Sequence, residues 1–421
     1  MGKLQVYEKS NRGYKRMSKT YCPLPFTHLA THPHGGCTLC CISDHKNGAS
    51  RSKNNREDGG KEWLDLNNHS IGDIMNSDYY KEVRLQMLND EEPAACTRCY
   101  DEERKGITSK RQSEAEVFKH VDSIRAKELI REDGHITMDL RFVELRLGNL
   151  CNVRCRTCNP ASSSQWRNDY KKIEASLDFV TKYGNIDKDE YKWPEEDAFW
   201  DDLFDSAPNL ELVYINGGEP TLIKKHWEYL EKLIAADRAK NMTLWYNINM
   251  TNLPDKTFDI WKQFGKIMVS ASIDDIAERN HYIRYPSNWD DVTNHLQQIM
   301  AEDWIETSIC QTISAYNYPY LGEFHKWATK ELGLHVHLNY VYDPSFLSPK
   351  VIHPEARTQI HSQFRKDFGN HHGLGNLLSM FDNDDWDQDG WEKFKVYNDR
   401  LDLIREQNWR EVFPKLVELC E

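Results

Sequence analysis

Six short apolar or alternating runs, at 142–147, 211–215, 243–248, 267–273, 307–313 and 335–340, recur along the middle of the chain between stretches with helical spacing. Strand followed by helix, repeated, is the pattern of a parallel sheet wrapped by helices. Six units are too few to close an eight-stranded barrel. The pattern therefore predicts an α/β chain with a partial (β/α)6 TIM-like barrel, with a doubly wound sheet as the alternative. Beyond Tyr342 the strand signals stop and the chain reads as helical, Pro349 and Pro354 marking the change.

Before the repeats the pattern is different. Tyr21 to Leu29 reads as a strand, Gly35-Gly36 as a turn, and Cys37 to Cys41 as a returning strand. Residues 44–65 are polar and suit an exposed loop. The stretch 100–133 is dense in charge, with Val117, Val121 and Ile124 at helical spacing, and predicts a surface helix linking two domains. Between the first two strands of the repeat, 159–209 reads as a helix and then an aromatic, acidic segment around Trp193, Phe199 and Trp200, placed to cover a barrel mouth.

Composition narrows the function classes. With 421 residues the chain can bury a sizeable core, and its 39% hydrophobic and 29% charged residues are ordinary for a globular protein. The 54 basic against 67 acidic residues give a net charge of −13, which disfavours nucleic acid as a partner. There is no apolar run long enough for a membrane span, and Met1 to Ser10 lacks the core of a secretion signal, so a cytoplasmic protein is expected. In that setting eleven cysteines point to metal or cluster binding rather than disulfides.

The first predicted strand ends in Gly148-Asn149-Leu150-Cys151-Asn152-Val153-Arg154-Cys155-Arg156-Thr157-Cys158, a C-x3-C-x2-C run. Three thiolates on one loop can hold three irons of a [4Fe-4S] cube and leave the fourth open to another ligand. They could also be part of a zinc site, which usually wants four protein ligands. The second predicted strand ends in Gly217-Gly218-Glu219-Pro220, where two glycines let backbone approach a ligand closely. Together these two motifs resemble the radical S-adenosylmethionine (SAM) enzymes, across roughly 21–344.

That resemblance implies a [4Fe-4S] cluster on Cys151, Cys155 and Cys158 whose open iron binds SAM, and reductive cleavage of SAM to a 5′-deoxyadenosyl radical that abstracts hydrogen from a substrate. It implies SAM contacts from Gly217, Gly218 and Glu219, from Asn252 after the third strand, from Ser272 on the fourth, and from Arg284 toward the methionyl carboxylate. Upstream, Cys22, the hairpin cysteine Cys40, and the Cys96-x2-Cys99 pair resemble a SPASM/twitch auxiliary domain holding a second [4Fe-4S] cluster, here placed before the barrel. Cys37 and Cys41 compete with Cys40 for the hairpin position, otherwise reading as spare thiols, and four thiolates also suit zinc. Cys310, in an apolar strand, reads as a buried hydrophobe.

The division implied is 1–138 for the twitch-like auxiliary domain with its linker helix, 139–345 for the partial barrel and 346–421 for a helical C-terminal region. Within the family resembled, auxiliary clusters of this type often accompany peptide or protein modification, so a peptide substrate and an external electron donor such as flavodoxin or ferredoxin are expected. The alternatives are a small molecule (a sugar or nucleotide derivative) and a non-catalytic iron-sulfur or zinc scaffold.

Overall fold

In strand β9 (Thr243–Ile248) buried and half-buried residues alternate without a break, and this alternation gives the central sheet two unlike faces. The computed structural model describes residues 7–10, 13–16, 18–43, 51–183, 189–369 and 386–420. Parts of the stretches read above, 1–6, 44–50, 184–188 and 370–385, lie outside the described residues.

In chain order the strands are β1 (Tyr7–Ser10), β2 (Gly13–Arg16), β3 (His28–Thr31), β4 (Cys37–Thr38), β5 (Lys53–Asn55), β6 (Lys61–Trp63), β7 (Phe142–Leu147), β8 (Leu212–Gly217), β9, β10 (Lys266–Ser272), β11 (Ile305–Ile313) and β12 (His335–Tyr340). β1 with β2, and β5 with β6, form small antiparallel ribbons. The central sheet runs β12-β11-β10-β9-β8-β7-β3-β4, and β7 to β12 are the six predicted strands, parallel and in sequential order. That is the order of a partial (β/α) barrel.

The predicted hairpin is also present, with Ala30 opposite Thr38 and Thr31 opposite Cys37. Its first strand does more than form a hairpin: β3 pairs in parallel with β7, His28 opposite Phe142 and Ala30 opposite Glu144. The cysteine-rich N-terminal segment thus extends the main sheet, and Arg146 N–H donates to the Thr31 hydroxyl at 2.8 Å across the junction.

On one face Val143, Leu145, Val213, Ile215, Leu244, Tyr246 and Val269 are buried against helix residues such as Leu230, Leu233, Trp261 and Ile299. The other face is polar and mixes half-buried residues with the buried Glu144 and Ser270. There Arg146 lies 3.4 Å from Glu144, Asn247 donates to Tyr214 at 2.7 Å, and the Trp245 indole donates to Ser270 at 3.1 Å. A second apolar core, built on Trp166, Tyr282, Tyr316, Trp391, Phe394, Trp409 and Phe413, lies under the C-terminal helices Pro354–Phe368, Gln388–Arg405, Trp409–Val412 and Pro414–Cys420. Among the described residues no helix is long and apolar enough to cross a membrane.

Four expectations change. Most of the predicted first strand, Tyr21 to Leu29, is not extended: Leu24–Thr27 is a short helix begun at Pro23, and the strand is His28–Thr31. The described part of the polar stretch 44–65 is not all loop, since it pairs as the β5–β6 ribbon. The stretch 100–133 is not one linker helix but the end of Thr97–Arg104 followed by Lys110–Val117 and Ser123–Leu129. Gly106, at φ +77°, breaks the run. Ser109 and Gln112 then form a capping box, and Asp122 caps the third helix through the Ile124 and Arg125 N–H groups. Val117 is left 61% exposed while Val121 is buried, so the predicted apolar stripe never shares one face. Much of 159–209 is likewise wall and not lid: helix Asp197–Ser206 packs beside Lys224–Ala235, and the Trp193 indole donates to Pro33 O at 2.9 Å.

Candidate functional site

The two sequence motifs meet at the carboxyl ends of β7 and β8, where active groups of parallel αβ barrels collect. Glu219 N–H donates to Leu150 O at 2.7 Å, so the Gly-Gly-Glu turn is hydrogen-bonded to the cysteine loop itself. A Cβ on Gly218 would stand 2.2 Å from Leu150 O and 2.6 Å from its carbonyl carbon. The glycine therefore permits the two loops to touch, where the sequence suggests room for a bound ligand. Cys151, Val153 and Cys155 are buried as one small cluster with Cys158 packed against it.

The thiols interact with one another. Cys155 is lowered chiefly by a hydrogen bond from Cys158, whose own thiol is raised by the same contact, and Arg284 further favours the Cys155 thiolate. Burial pushes Cys151 up to about 12. Three convergent thiols beside a cationic side chain fit an iron-sulfur cluster with one open iron, since the metal supplies the charge that thiolates need when buried.

Around this loop the later strand ends contribute a polar chain. Asn249 Nδ2 lies 2.9 Å from Asn152 Oδ1 and 4.0 Å from Cys151 Sγ, and Asn152 donates to the Thr251 hydroxyl at 2.8 Å. Asn252 donates to Thr221 Oγ1 at 3.2 Å, and Ser272 is half-buried at the end of β10 on the polar face with Ser270. Arg284 pairs with the fully buried Asp274 at 3.1 Å, and its Nε has no hydrogen-bond partner among the described residues.

Glu219 is buried and accepts from Asn249 N–H at 2.8 Å and from the Thr221 hydroxyl at 2.8 Å. Burial outweighs these bonds and pushes its carboxyl up from 4.5 to about 7. Between those values the folded chain keeps a proton that the unfolded chain has lost, so stability falls as pH rises through the window. The loss amounts to about 3 kcal/mol once pH exceeds the folded value. Urea unfolding of the cluster-free protein at pH 5 and pH 7.5 should show this fall, and Glu219→Gln should remove it. An equally steep fall in the glutamine variant would exclude Glu219 as its source.

The cysteine loop rests on side chains from far along the chain. Arg154 N–H and Arg156 N–H donate to Tyr285 O and Ile283 O at 2.6 and 2.7 Å. The Arg156 guanidinium, fully buried, donates to Asn398 Oδ1 at 3.0 Å, to Gln407 Oε1 at 2.9 Å and to Asp402, and lies 3.7 Å above the Tyr282 ring. Removing one partner of such a buried pair leaves the other uncompensated, which costs about 3–5 kcal/mol. Arg156→Met should lower the unfolding free energy by that amount in denaturant titration. A change below about 1 kcal/mol, the scale of exposed pairs, would show that the network contributes little.

The second cysteine set is also brought together. Cys22, Cys40, Cys96 and Cys99 line one cavity with Lys110 and Arg111 at its edge. Burial raises Cys22 well above the usual thiol range, with Cys96 the next cause; it also pushes Cys40 up to about 12. Cys41 does not line that cavity; it faces Glu144, Lys110 and Arg146 on the polar side. Cys37 is fully buried in β4. All eleven cysteines are unbridged. Among the described residues no three or more His, Cys, Asp or Glu side chains are grouped closely enough to hold a single metal ion.

Several participants were missed by sequence reasoning. Asn249 precedes the Thr251-Asn252 pair by two residues, and its alternation with Asn247 in β9 was the available signal. Asp169, Asn398, Asp402 and Arg405 carry no local signal, being charged or polar residues at ordinary helical positions. Cys310 is a correction: it is half-buried on the polar face, with Asn339 Nδ2 3.1 Å from its sulfur, because its register in β11 sets it opposite the apolar Ile309.

Residues 22–100 match the SPASM family model, described as an iron-sulfur cluster-binding domain, and the predicted cysteines Cys22, Cys40, Cys96 and Cys99 fall within that segment. No curated protein sequence matches the chain. Among solved structures, native anSMEcpe with bound AdoMet is 17% identical over 57% of this chain and 62% of that one, at a TM-score of 0.40. SuiB of Streptococcus suis bound to precursor peptide SuiA is 11% identical over 85% of this chain and 70% of that one, at 0.32. The chain thus spans under two thirds of the length of anSMEcpe.

Proposed function

We propose that the chain is a radical SAM enzyme that acts on a peptide or protein. The observation that carries this reading is the fusion of the two motifs at one place: the loop bearing Cys151, Cys155 and Cys158 is hydrogen-bonded to the Gly217-Gly218-Glu219 turn at the carboxyl ends of adjacent parallel strands. When bound there, a [4Fe-4S] cluster and SAM supply a 5′-deoxyadenosyl radical for hydrogen abstraction.

The residues of this chain have separable tasks in the proposal. Cys151, Cys155 and Cys158 hold the cluster. Gly217, Gly218 and Glu219 set the SAM-facing turn, Asn252 and Ser272 face it from later strand ends, and Arg284 offers a guanidinium to the methionyl carboxylate. Cys22, Cys40, Cys96 and Cys99 hold the auxiliary cluster, Cys40 being favoured over Cys41 because it shares their cavity. An external donor such as flavodoxin or ferredoxin delivers electrons in a cytoplasmic setting, and the division into 1–138, 139–345 and 346–421 remains our reading of the organisation.

A peptide is favoured by the polar face of the sheet. Tyr214, Trp245, Asn247 and Ser308 at half-buried positions, with the exposed Asn339 beside them, offer amides, hydroxyls and aromatic surface, which suits an extended backbone with both donors and acceptors. A sugar or nucleotide derivative is the second reading, served by the Tyr214 and Trp245 rings, 4.7 Å apart. Anaerobic reconstitution tests the assignment of both sites: about eight irons per chain are expected if each set holds a four-iron cube. About four irons with one zinc would make the N-terminal site structural zinc, and no iron would favour a scaffold without this chemistry.

A further inference from the structure

Helix Gln388–Arg405 is capped by Asp387, whose side chain accepts from Gly390 N–H, and is stopped by Glu406 in the left-handed conformation at φ 56°. Its last residue, Arg405, is 5% exposed and ends against the cysteine loop more than two hundred residues upstream. The guanidinium lies 4.5 Å from the centre of the Trp166 ring, and the Trp166 indole donates to Cys155 O at 2.9 Å. It also lies 5.3 Å from the Tyr285 ring, whose carbonyl holds Arg154 N–H.

The hydrogen bonding of Arg405 is incomplete in a telling way. Its Nε donates to Asp169 Oδ2 at 2.9 Å, but Nη1 and Nη2 are buried with no partner among the described residues. Asp169 is itself shared, since Arg154 Nη1 reaches its other oxygen at 3.1 Å. One carboxylate therefore serves two guanidiniums, and the two unused ends of Arg405 are sealed from water one ring away from a cluster ligand. Leaving charged N–H groups buried and unbonded is unfavourable unless something negative is present in the working protein.

We propose that Arg405 sets the reduction potential of the cluster held by Cys151, Cys155 and Cys158, its charge stabilising the reduced state. This rests on the cluster assignment made above. Reduction makes the cluster one unit more negative, and cluster potentials respond to net charge, hydrogen bonds and solvent exposure. A fixed positive charge in a dry site therefore raises the potential and makes the electron easier to deliver. The C-terminal helix, otherwise a cover, becomes an electrostatic component of the electron-transfer step.

The test uses the full chain, reconstituted anaerobically with iron and sulfide and titrated reductively while the paramagnetic signal that Cys155→Ala abolishes is followed. Arg405→Met is expected to retain its iron and move the midpoint negative by about tenfold in the reduction equilibrium, about 59 mV for one electron. Arg405→Lys should recover most of that shift. Full iron with an unmoved midpoint in Arg405→Met would overturn the proposal, as would an equal shift in the lysine variant, which would make shape and not charge the cause. Should Arg405→Met lose its iron, Asp169→Asn decides: removing the shared carboxylate should move the midpoint positive, and no movement or the opposite sign refutes the idea. A protein with no Cys155-dependent signal would instead overturn the cluster assignment, and this inference with it.

Discussion

Cys155→Ala protein, reconstituted and reduced with dithionite, is expected to make no 5′-deoxyadenosine from SAM, while the parent chain makes it slowly even without substrate. Ligand count is the reason: under the proposed assignment a loop with three cysteines would leave one iron open, whereas the four cysteines Cys22, Cys40, Cys96 and Cys99, which line one cavity, would close theirs. Cys155 is the residue to change because it lies deepest in the support. Its carbonyl accepts from Trp166, its thiol shares a hydrogen bond with Cys158, and both Arg284 and Arg405 act on it. Cys96→Ala with Cys99→Ala should leave uncoupled cleavage in place and damage turnover of the true substrate. Chromatographic assay of deoxyadenosine separates the cases. Product from the Cys155→Ala protein, or none from the parent with a competent reductant, would refute the assignment of the loop.

Gly218→Val is expected to remove the cluster on the Cys151 loop, lowering iron from about eight to about four per chain. From the sequence alone, a bulky residue here would be expected to hinder SAM and spare the cluster. The structure changes that expectation because the first atoms a side chain meets are Leu150 O at 2.2 Å and Asn149 C at 2.8 Å, backbone of the cysteine loop. Backbone pinned at Ser164 N–H to Asn149 O, 2.7 Å, cannot retreat as a flexible side chain could. Colorimetric iron and sulfide determination on the purified variant checks it. A full complement of iron with weakened SAM binding would restore the ligand-facing role of Gly218.

The strands and the cysteines were legible in the sequence because both are local signals. Strand β9 announces itself by alternation within six residues, and β7, β9 and β12 fall at the predicted bounds. The C-x3-C-x2-C loop and the Gly-Gly-Glu turn are each contiguous, so spacing along the chain reports spacing in space. The same holds for the Cys96-x2-Cys99 pair, which lies with Cys22 and Cys40 inside the segment matching an iron-sulfur domain.

Longer-range choices had no such signal. That Cys40 and not Cys41 enters the shared cavity follows from the turn after β4, which sends adjacent thiols in different directions: one toward Cys22 and Cys99, the other toward Glu144 and Arg146. That β3 joins β7 depends on pairing across more than a hundred residues. Arg156, Asp169, Asp402 and Arg405 read singly as ordinary charged residues of helices and loops. Only packing brings them under one loop, where burial turns each into a partner that another cannot do without. Alternation and ligand spacing thus made the sheet and the cysteine sets readable from the chain, because hydrophobic period and metal geometry act over a few residues. The tertiary structure alone decided what surrounds those thiols, because desolvation and charge pairing depend on which distant segments exclude water together.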